Sequence, residues 1–106
     1  MTPEGDVKQW IKRKVLDKYG DLVWGYTTHQ GPYGQKGVPD LIFCIMGLFV
    51  AIEVKTEVGT LTKLQSLTLK KIEKARGIAV EIRGKDQKAL DELFENIDEV
   101  MSMLYD

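Results

Sequence analysis

The stretch that decides the fold reads LIFCIMGLFVAIEVK and spans residues 41–55. Two apolar runs flank Gly47, and this pattern predicts two buried strands joined by a tight hairpin. Side chains alternate across a strand, so Glu53 and Lys55 share one face of the second run. The opposite face is apolar and carries Val50, Ile52 and Val54. Because burial of unpaired charge is costly, the segment predicts a chemical site as well as the centre of a sheet.

The segment before this hairpin predicts a helix followed by a strand. Thr2 and Pro3 are typical of a helix N-terminus, and Gly20 is a suitable end. Residues 22–28 are rich in β-branched and aromatic side chains, which favour a strand. A glycine-rich loop then leads to the turn before Asp40.

The segment after the hairpin predicts a helix, a strand and a final helix. Thr62 and Gln65 fit a capping box, and Gly77 is a candidate helix end. Residues 78–82 predict a short strand, and residues 85–104 predict an amphipathic helix. The resulting α-β-β-β-α-β-α order predicts an α/β fold with a mixed central β-sheet flanked by helices. We expect residues 1–106 to form a single domain.

The composition excludes several classes of protein. The sequence has one cysteine and one histidine, which rules out an internal disulfide and makes a structural zinc site untenable. Cys44 lies in an apolar run and is predicted to be a small core residue. Trp10 and Trp24 are predicted to be core or interface residues. With no apolar run near ~20 residues and no signal-peptide pattern, we expect a cytoplasmic protein without membrane contact.

The charge is unevenly distributed although the formal net charge is only −1. Residues 86–106 hold seven acids and one base, which leaves 14 bases and 9 acids in residues 1–85. A polyanion could meet the basic part while the acidic segment faces elsewhere. A set of solvated charged faces explains the same pattern, so charge alone does not decide the function.

Asp40 and Glu53 form the candidate metal site. If the hairpin strands pair across Gly47, Asp40 falls near the end of the strand that carries Glu53. Two converging carboxylates suit Mg²⁺, with the Val54 carbonyl as a further ligand. The ion would polarise a phosphate, and Lys55 would orient the attacking water or neutralise charge on the phosphate.

Two other residues are candidates with alternative explanations. Glu4 shares the inward face of the first helix and could reach the site as a third carboxylate, but an acid in a first turn also favours the helix dipole. Gln65 could hold the attacking water or a phosphate, but it also fits the capping box with Thr62.

The ordered set of motifs resembles the virus-type replication-repair nuclease (VRR-NUC) branch of the PD-(D/E)XK nuclease superfamily. That branch has a helical Glu, a Gly-x-Pro-Asp turn, a Glu-x-Lys strand followed by Thr, and a Gly-x-Leu-Ser/Thr segment leading to Gln. This chain has them in the same order, at Glu4, residues 37–40, residues 53–56, residues 59–62 and Gln65. Lys63 and Leu64 stand where that branch often has Pro-Glu.

The resemblance implies a restriction-endonuclease-like core and a Mg²⁺-dependent DNA endonuclease, with Mn²⁺ as a substitute ion. It implies metal binding by Asp40 and Glu53, catalysis by Lys55, and supporting roles for Glu4 and Gln65. Stand-alone phage versions resemble homodimeric resolvases of four-way (Holliday) junctions, so branched DNA and a homodimer of phage or prophage origin are expected. No nucleotide cofactor is expected.

The candidate DNA-binding residues are basic side chains of the later helix and two positions near the glycine-rich loop. They are Lys63, Lys70, Lys71 and Lys74, together with Lys36 and Tyr33. Tyr33 could stack on an unpaired base or pack within the protein, and His29 is a weak candidate. Apolar residues near the end of the final helix are a candidate dimer surface, namely Met101, Met103, Leu104 and Tyr105.

Three alternatives stay open at this point. The first is a branched-DNA-binding module that does not cut. The second is a nuclease of the same superfamily acting on duplex, flap or RNA substrates. The third is an unrelated α/β protein in which Glu53 and Lys55 form a surface ion pair.

Overall fold

The computed structural model describes residues 2–28 and 36–106, and its elements follow the predicted order with one added 3₁₀ turn. The elements are α1 (Pro3–Tyr19), the 3₁₀ turn (Gly20–Leu22), β1 (Val23–Thr27), β2 (Leu41–Ile45), β3 (Leu48–Lys55), α2 (Lys63–Lys74), β4 (Ile78–Arg83) and α3 (Gln87–Tyr105). None of the helices within these described ranges is long and apolar enough to cross a membrane.

The four strands form one mixed sheet in the order β1-β2-β3-β4. β1, β2 and β3 pair antiparallel, and Leu41 lies opposite Ile52 in the hairpin. α2 then carries the chain across so that β4 pairs parallel to β3. The predicted α/β class, with a mixed sheet flanked by helices, is confirmed.

The two faces of the sheet are covered differently. α1 and α3 pack on one face, where the alternate residues Val50, Ile52 and Val54 of β3 belong to the main core. α1 contributes Val7, Ile11 and Val15 to this core, and α3 contributes Leu90, Leu93, Ile97 and Met101. α2 covers part of the other face over a small cluster built from Ala51, Leu69 and Ala79. The apolar alternation predicted for β3 is therefore the side chain pattern of the main core.

The predicted starts of α1 and α2 agree with the structure, whereas α3 begins at Gln87 rather than at residue 85, and α2 ends earlier than predicted. Thr62 and Gln65 form the capping box, with the Thr62 hydroxyl accepting from the Gln65 amide. α2 ends at Lys74, and Arg76 rather than Gly77 adopts the left-handed conformation, with φ 74°. Gly77 is required for space instead, because a Cβ there would lie 2.8 Å from Ile72 Cγ2.

The prediction that Cys44 is a core residue is wrong, because the side chain is exposed. Cys44 points to the face that α2 covers only in part, between its paired neighbours Trp24 and Phe49. Trp24 is 68% exposed and Phe49 44% exposed. This end of the sheet thus presents an open aromatic surface, in which the Trp24 and Tyr26 rings lie 5.6 Å apart between centroids.

Candidate active site

The turn before β2 delivers Asp40 to the sheet. Gly37 opens this turn with φ 81°, and a Cβ there would lie 2.6 Å from Leu64 Cγ, so a glycine is needed for both conformation and space. The Thr28 amide and hydroxyl donate to the carbonyls of Asp40 and Pro39, at 2.9 Å and 2.8 Å. These bonds fix the backbone of Asp40, which is only 4% exposed.

The Asp40 carboxylate accepts a hydrogen bond from β3 that a backbone carbonyl of a neighbouring strand would otherwise accept. β2 and β3 pair as far as Leu41 and Ile52, and beyond this point Asp40 Oδ2 accepts from the Val54 amide at 2.8 Å. The amide and carbonyl of one residue in a strand point to the same side. The Val54 carbonyl therefore faces the same gap between the strands as Asp40.

Glu53 lies directly beside Asp40 and is 2% exposed. Its Oε1 accepts from the Asp40 amide at 3.2 Å. Its Oε2 accepts from Gln65 Nε2 at 2.8 Å and lies 3.7 Å from Lys55 Nζ. The structure thus brings Asp40, Glu53, Lys55 and Gln65 together at the end of β3.

The surroundings of Glu53 disfavour its ionised form. The pKa of Glu53 is raised from 4.5 to about 7, first by burial and then by the negative charge of Asp40 and a side-chain hydrogen bond with it. Lys55 acts in the opposite direction. Two buried carboxylates in contact repel each other when both are ionised, and a bound cation would relieve this repulsion.

Gln65 makes the predicted capping-box contact with Thr62 and also a contact with Glu53 that the sequence analysis does not predict. Its Oε1 accepts from the Thr62 amide at 2.9 Å and completes the capping box, while its Nε2 donates to Glu53. The N-terminus of α2 is therefore tied to the Glu53 carboxylate by one amide group.

Glu4 pairs with Lys8, and Lys8 in turn pairs with Asp40 of the carboxylate pair. Glu4 Oε1 is 3.8 Å from Lys8 Nζ, and Lys8 Nζ is 3.5 Å from Asp40 Oδ1. Within residues 2–28 and 36–106 no three acidic, histidine or cysteine side chains cluster closely enough to hold a metal ion. Lys8 was missed by sequence reasoning, although its position four residues after Glu4 is a signal for an ion pair.

Arg83 at the end of β4 is a second residue that sequence reasoning missed. Its guanidinium donates to the carbonyls of Gly59 and Thr56, and the Gly84 amide donates to the Lys55 carbonyl at 2.8 Å. These contacts hold the loop between Lys55 and α2. No sequence motif identifies Arg83, because the contact depends on the parallel register of β4 with β3.

The predicted DNA-binding lysines are all exposed, and most lie on α2. They are Lys36, Lys63, Lys70, Lys71 and Lys74. Lys71 borders an apolar groove of about 330 Å³ between α2 and Phe49. Tyr33 and His29 lie outside the described residues.

The fold of this chain is similar to that of a known protein domain. The sequence matches no protein-family model and no curated protein. A solved structure described as a VRR_NUC domain is similar to this chain, with a TM-score of 0.68 and 22% sequence identity. The match covers 90% of this chain and 97% of that chain.

This chain has the VRR_NUC fold. The resemblance drawn from the motifs is confirmed at the level of the fold, and with it the restriction-endonuclease-like core. At this level of identity the similarity describes the architecture, and the chemistry depends on the chain's own residues.

Proposed function

We propose that this chain is a divalent-metal-dependent endonuclease that hydrolyses the phosphodiester backbone of branched DNA. The observation that carries the proposal is the pair of buried carboxylates, Asp40 and Glu53, in contact with each other and beside Lys55. Burying two acids together is unfavourable unless a cation or a proton offsets their charge. The VRR_NUC fold gives the proposal its reaction class by analogy.

The donor set suits Mg²⁺ or Mn²⁺. Asp40, Glu53 and the Val54 carbonyl supply only oxygen atoms, which hard divalent ions prefer. Mg²⁺ is commonly bound by one or two carboxylates with waters and phosphate, so a third carboxylate is unnecessary. When bound, the ion would act as a Lewis acid for the phosphate and favour ionisation of water.

The remaining side chains have distinct proposed tasks. Lys55, beside Glu53, would orient the attacking water or stabilise negative charge on the phosphate in the transition state. Gln65 fixes the orientation of Glu53 through its 2.8 Å hydrogen bond. The exposed lysines of α2 lie on the helix that carries Gln65 in its first turn, so they would contact phosphates on either side of the cut.

The test is cleavage of an end-labelled four-way junction, compared with a duplex, a flap and an RNA of related sequence. The wild-type protein should cut the junction with Mg²⁺ and not with chelator. Asp40→Asn and Lys55→Ala should each lower the rate by about 10² or more. Lys88→Ala removes an exposed lysine of α3 and should leave the rate unchanged.

The outcomes separate the alternative functions. Lys55→Ala should retain junction binding and metal binding, since Lys55 does not hold the ion. Junction binding without cleavage in any lane would favour a non-catalytic branched-DNA-binding module. Preferential cutting of duplex, flap or RNA would keep the nuclease chemistry and replace the branched substrate. Undiminished cleavage by Asp40→Asn would overturn the proposed site.

We extend the proposal to a two-fold homodimer, because a 106-residue chain is small beside a DNA junction. At the end of α3, Met103, Leu104 and Tyr105 are exposed, whereas Met101 is buried in the core and is not available as predicted. Light scattering should give twice the chain mass of 12.0 kDa. Leu104→Glu should lower it to one chain mass, and Leu16→Glu, on exposed α1 surface, should not.

A further inference from the structure

Lys8 contacts one member of the carboxylate pair, and Lys55 contacts the other. Lys8 Nζ lies 3.5 Å from Asp40 Oδ1, and Lys55 Nζ lies 3.7 Å from Glu53 Oε2. The two lysine side chains are similarly covered, at 21% and 19% exposed. Each buried carboxylate therefore has its own lysine, one from α1 and one from β3.

Lys8 differs from the other lysines of α1 in having acids on two sides. Glu4 Oε1 lies 3.8 Å away on the preceding helical turn, and the Glu4 side chain is 47% exposed. Lys12, one turn further along, instead donates to the Thr27 hydroxyl at 3.1 Å. The Lys8 ammonium thus has a buried partner in Asp40 and a more solvated partner in Glu4.

We propose that the Lys8 ammonium is the counter-ion of Asp40 while the site lacks a metal ion. We propose that this ammonium moves from Asp40 to Glu4 when a divalent cation binds. The inference rests on the proposed metal site at Asp40 and Glu53. While the site lacks an ion, the ammonium offsets the buried charge of Asp40. A divalent ion on the same carboxylate would repel the ammonium, and the flexible lysine side chain can swing back to Glu4. Lys8 is accordingly a positioning residue that lowers the affinity for metal.

The size of the effect follows from Coulomb's law. Two unit charges about 4 Å apart in water interact strongly enough to change an equilibrium constant by about fivefold, and a divalent ion doubles this energy. Movement of the ammonium to Glu4 reduces the repulsion. Removal of the Lys8 charge should therefore tighten metal binding by about tenfold.

The experiment is calorimetric titration of the full chain with MnCl₂ in the absence of DNA. Lys8→Met should bind Mn²⁺ about tenfold more tightly than wild type, and Lys8→Arg should bind within about twofold of wild type. Lys12→Met removes the same charge one turn away and should change the affinity by less than twofold. If Lys8→Met does not fold, Lys8→Gln provides the same comparison with a polar side chain.

A second readout is the melting temperature without metal. Lys8→Met should melt below wild type in chelator, because Asp40 loses its counter-charge, and the difference should shrink in saturating Mn²⁺. A purely structural role for Lys8 would weaken metal binding or leave it unchanged. Either result, with Lys12→Met as reference, would overturn the inference.

A double-mutant cycle decides whether Glu4 acts through Lys8. Glu4→Gln should weaken Mn²⁺ binding by about threefold in the wild-type background and have no effect in Lys8→Met. An equal loss in both backgrounds would make Glu4 a ligand in its own right and overturn the movement of Lys8 to Glu4. Absence of Mn²⁺ binding by wild type would overturn the proposed function itself, whereas binding that Lys8→Met does not change would overturn only this inference.

Discussion

The two faces of the sheet differ in what their side chains contribute. On the face toward α1 and α3, Val50, Ile52 and Val54 of β3 are all fully buried in one apolar core. On the face toward α2, the same strand carries the half-exposed Phe49 at one end and the buried Glu53 at the other. One face therefore supplies most of the stability. The other leaves room for charged side chains and for a ligand.

The incomplete cover of the sheet face toward α2 explains the location of the candidate site. α2 is shorter than α1 and α3 and covers only the middle of its face, over Ala51, Leu69 and Ala79. The small side chains of Ala51 and Ala79 allow α2 to approach closely, and Gln65 at its N-terminus then reaches Glu53. The incomplete cover is thus a condition for the site and not merely a weakness of packing.

The largest expected effect is the loss of stability when the apolar core on the face toward α1 and α3 is disrupted. Ile52→Ala removes a fully buried side chain and should lower the free energy of unfolding by about 3 kcal/mol. Phe49→Ala, on the opposite face of the same strand, should cost about 1 kcal/mol because the ring is half-exposed. Urea denaturation of both variants measures the contrast. Equal losses would contradict the assignment of stability to one face.

The next effect concerns the charged end of the α2 face. The pKa of Glu53 is raised from 4.5 to about 7, so ionisation is less favourable in the folded protein than in the unfolded chain. The contribution of Glu53 to stability should therefore be greatest below about pH 4.5 and should be lost as the pH rises to about 7. Without metal, this loss should be on the order of 3 kcal/mol.

Glu53→Gln isolates this contribution. Denaturation of the metal-free protein between pH 4.5 and 8 should show a smaller decline for Glu53→Gln than for wild type. Glu57→Gln, which changes an exposed acid in the following loop, should decline as wild type does. Identical pH dependence in Glu53→Gln and wild type would mean that Asp40 and burial do not destabilise the ionised Glu53.

The sequence predicted the main features of both faces because they depend on local patterns. The alternation in β3 places the apolar side chains and Glu53 on opposite faces. Gly47 forms the hairpin turn that brings Asp40 next to Glu53. Cys44 was misassigned because an apolar run has the same sequence whether or not a helix covers it. The spacing of Glu4 and Lys8 signals only their own ion pair. The contact of Lys8 with Asp40 and that of Arg83 with Gly59 were missed because they depend on how α1 and β4 lie against the hairpin, which no local pattern encodes.

The smallest effect concerns the C-terminus of α2, where Arg76, and not the predicted helix end Gly77, adopts the left-handed conformation. Arg76→Gly should stabilise the protein by about 0.5 kcal/mol, because glycine adopts φ 74° without the strain of a side chain. Lys70→Gly, at an exposed position in the interior of α2, should instead destabilise by about 1 kcal/mol. Thermal unfolding of the two variants measures whether each substitution stabilises or destabilises the protein. A destabilised Arg76→Gly would show that the arginine side chain contributes more than the strain costs.

The most direct test of the metal site is a crystal structure with Mn²⁺, analysed by anomalous scattering. We expect one ion within about 2.0–2.3 Å of carboxylate oxygens from both Asp40 and Glu53. We expect no ion at this position in Asp40→Asn. An ion bound elsewhere, or contact with only one of these two carboxylates, would contradict the central claim that the buried acids of the α2 face form a single metal site.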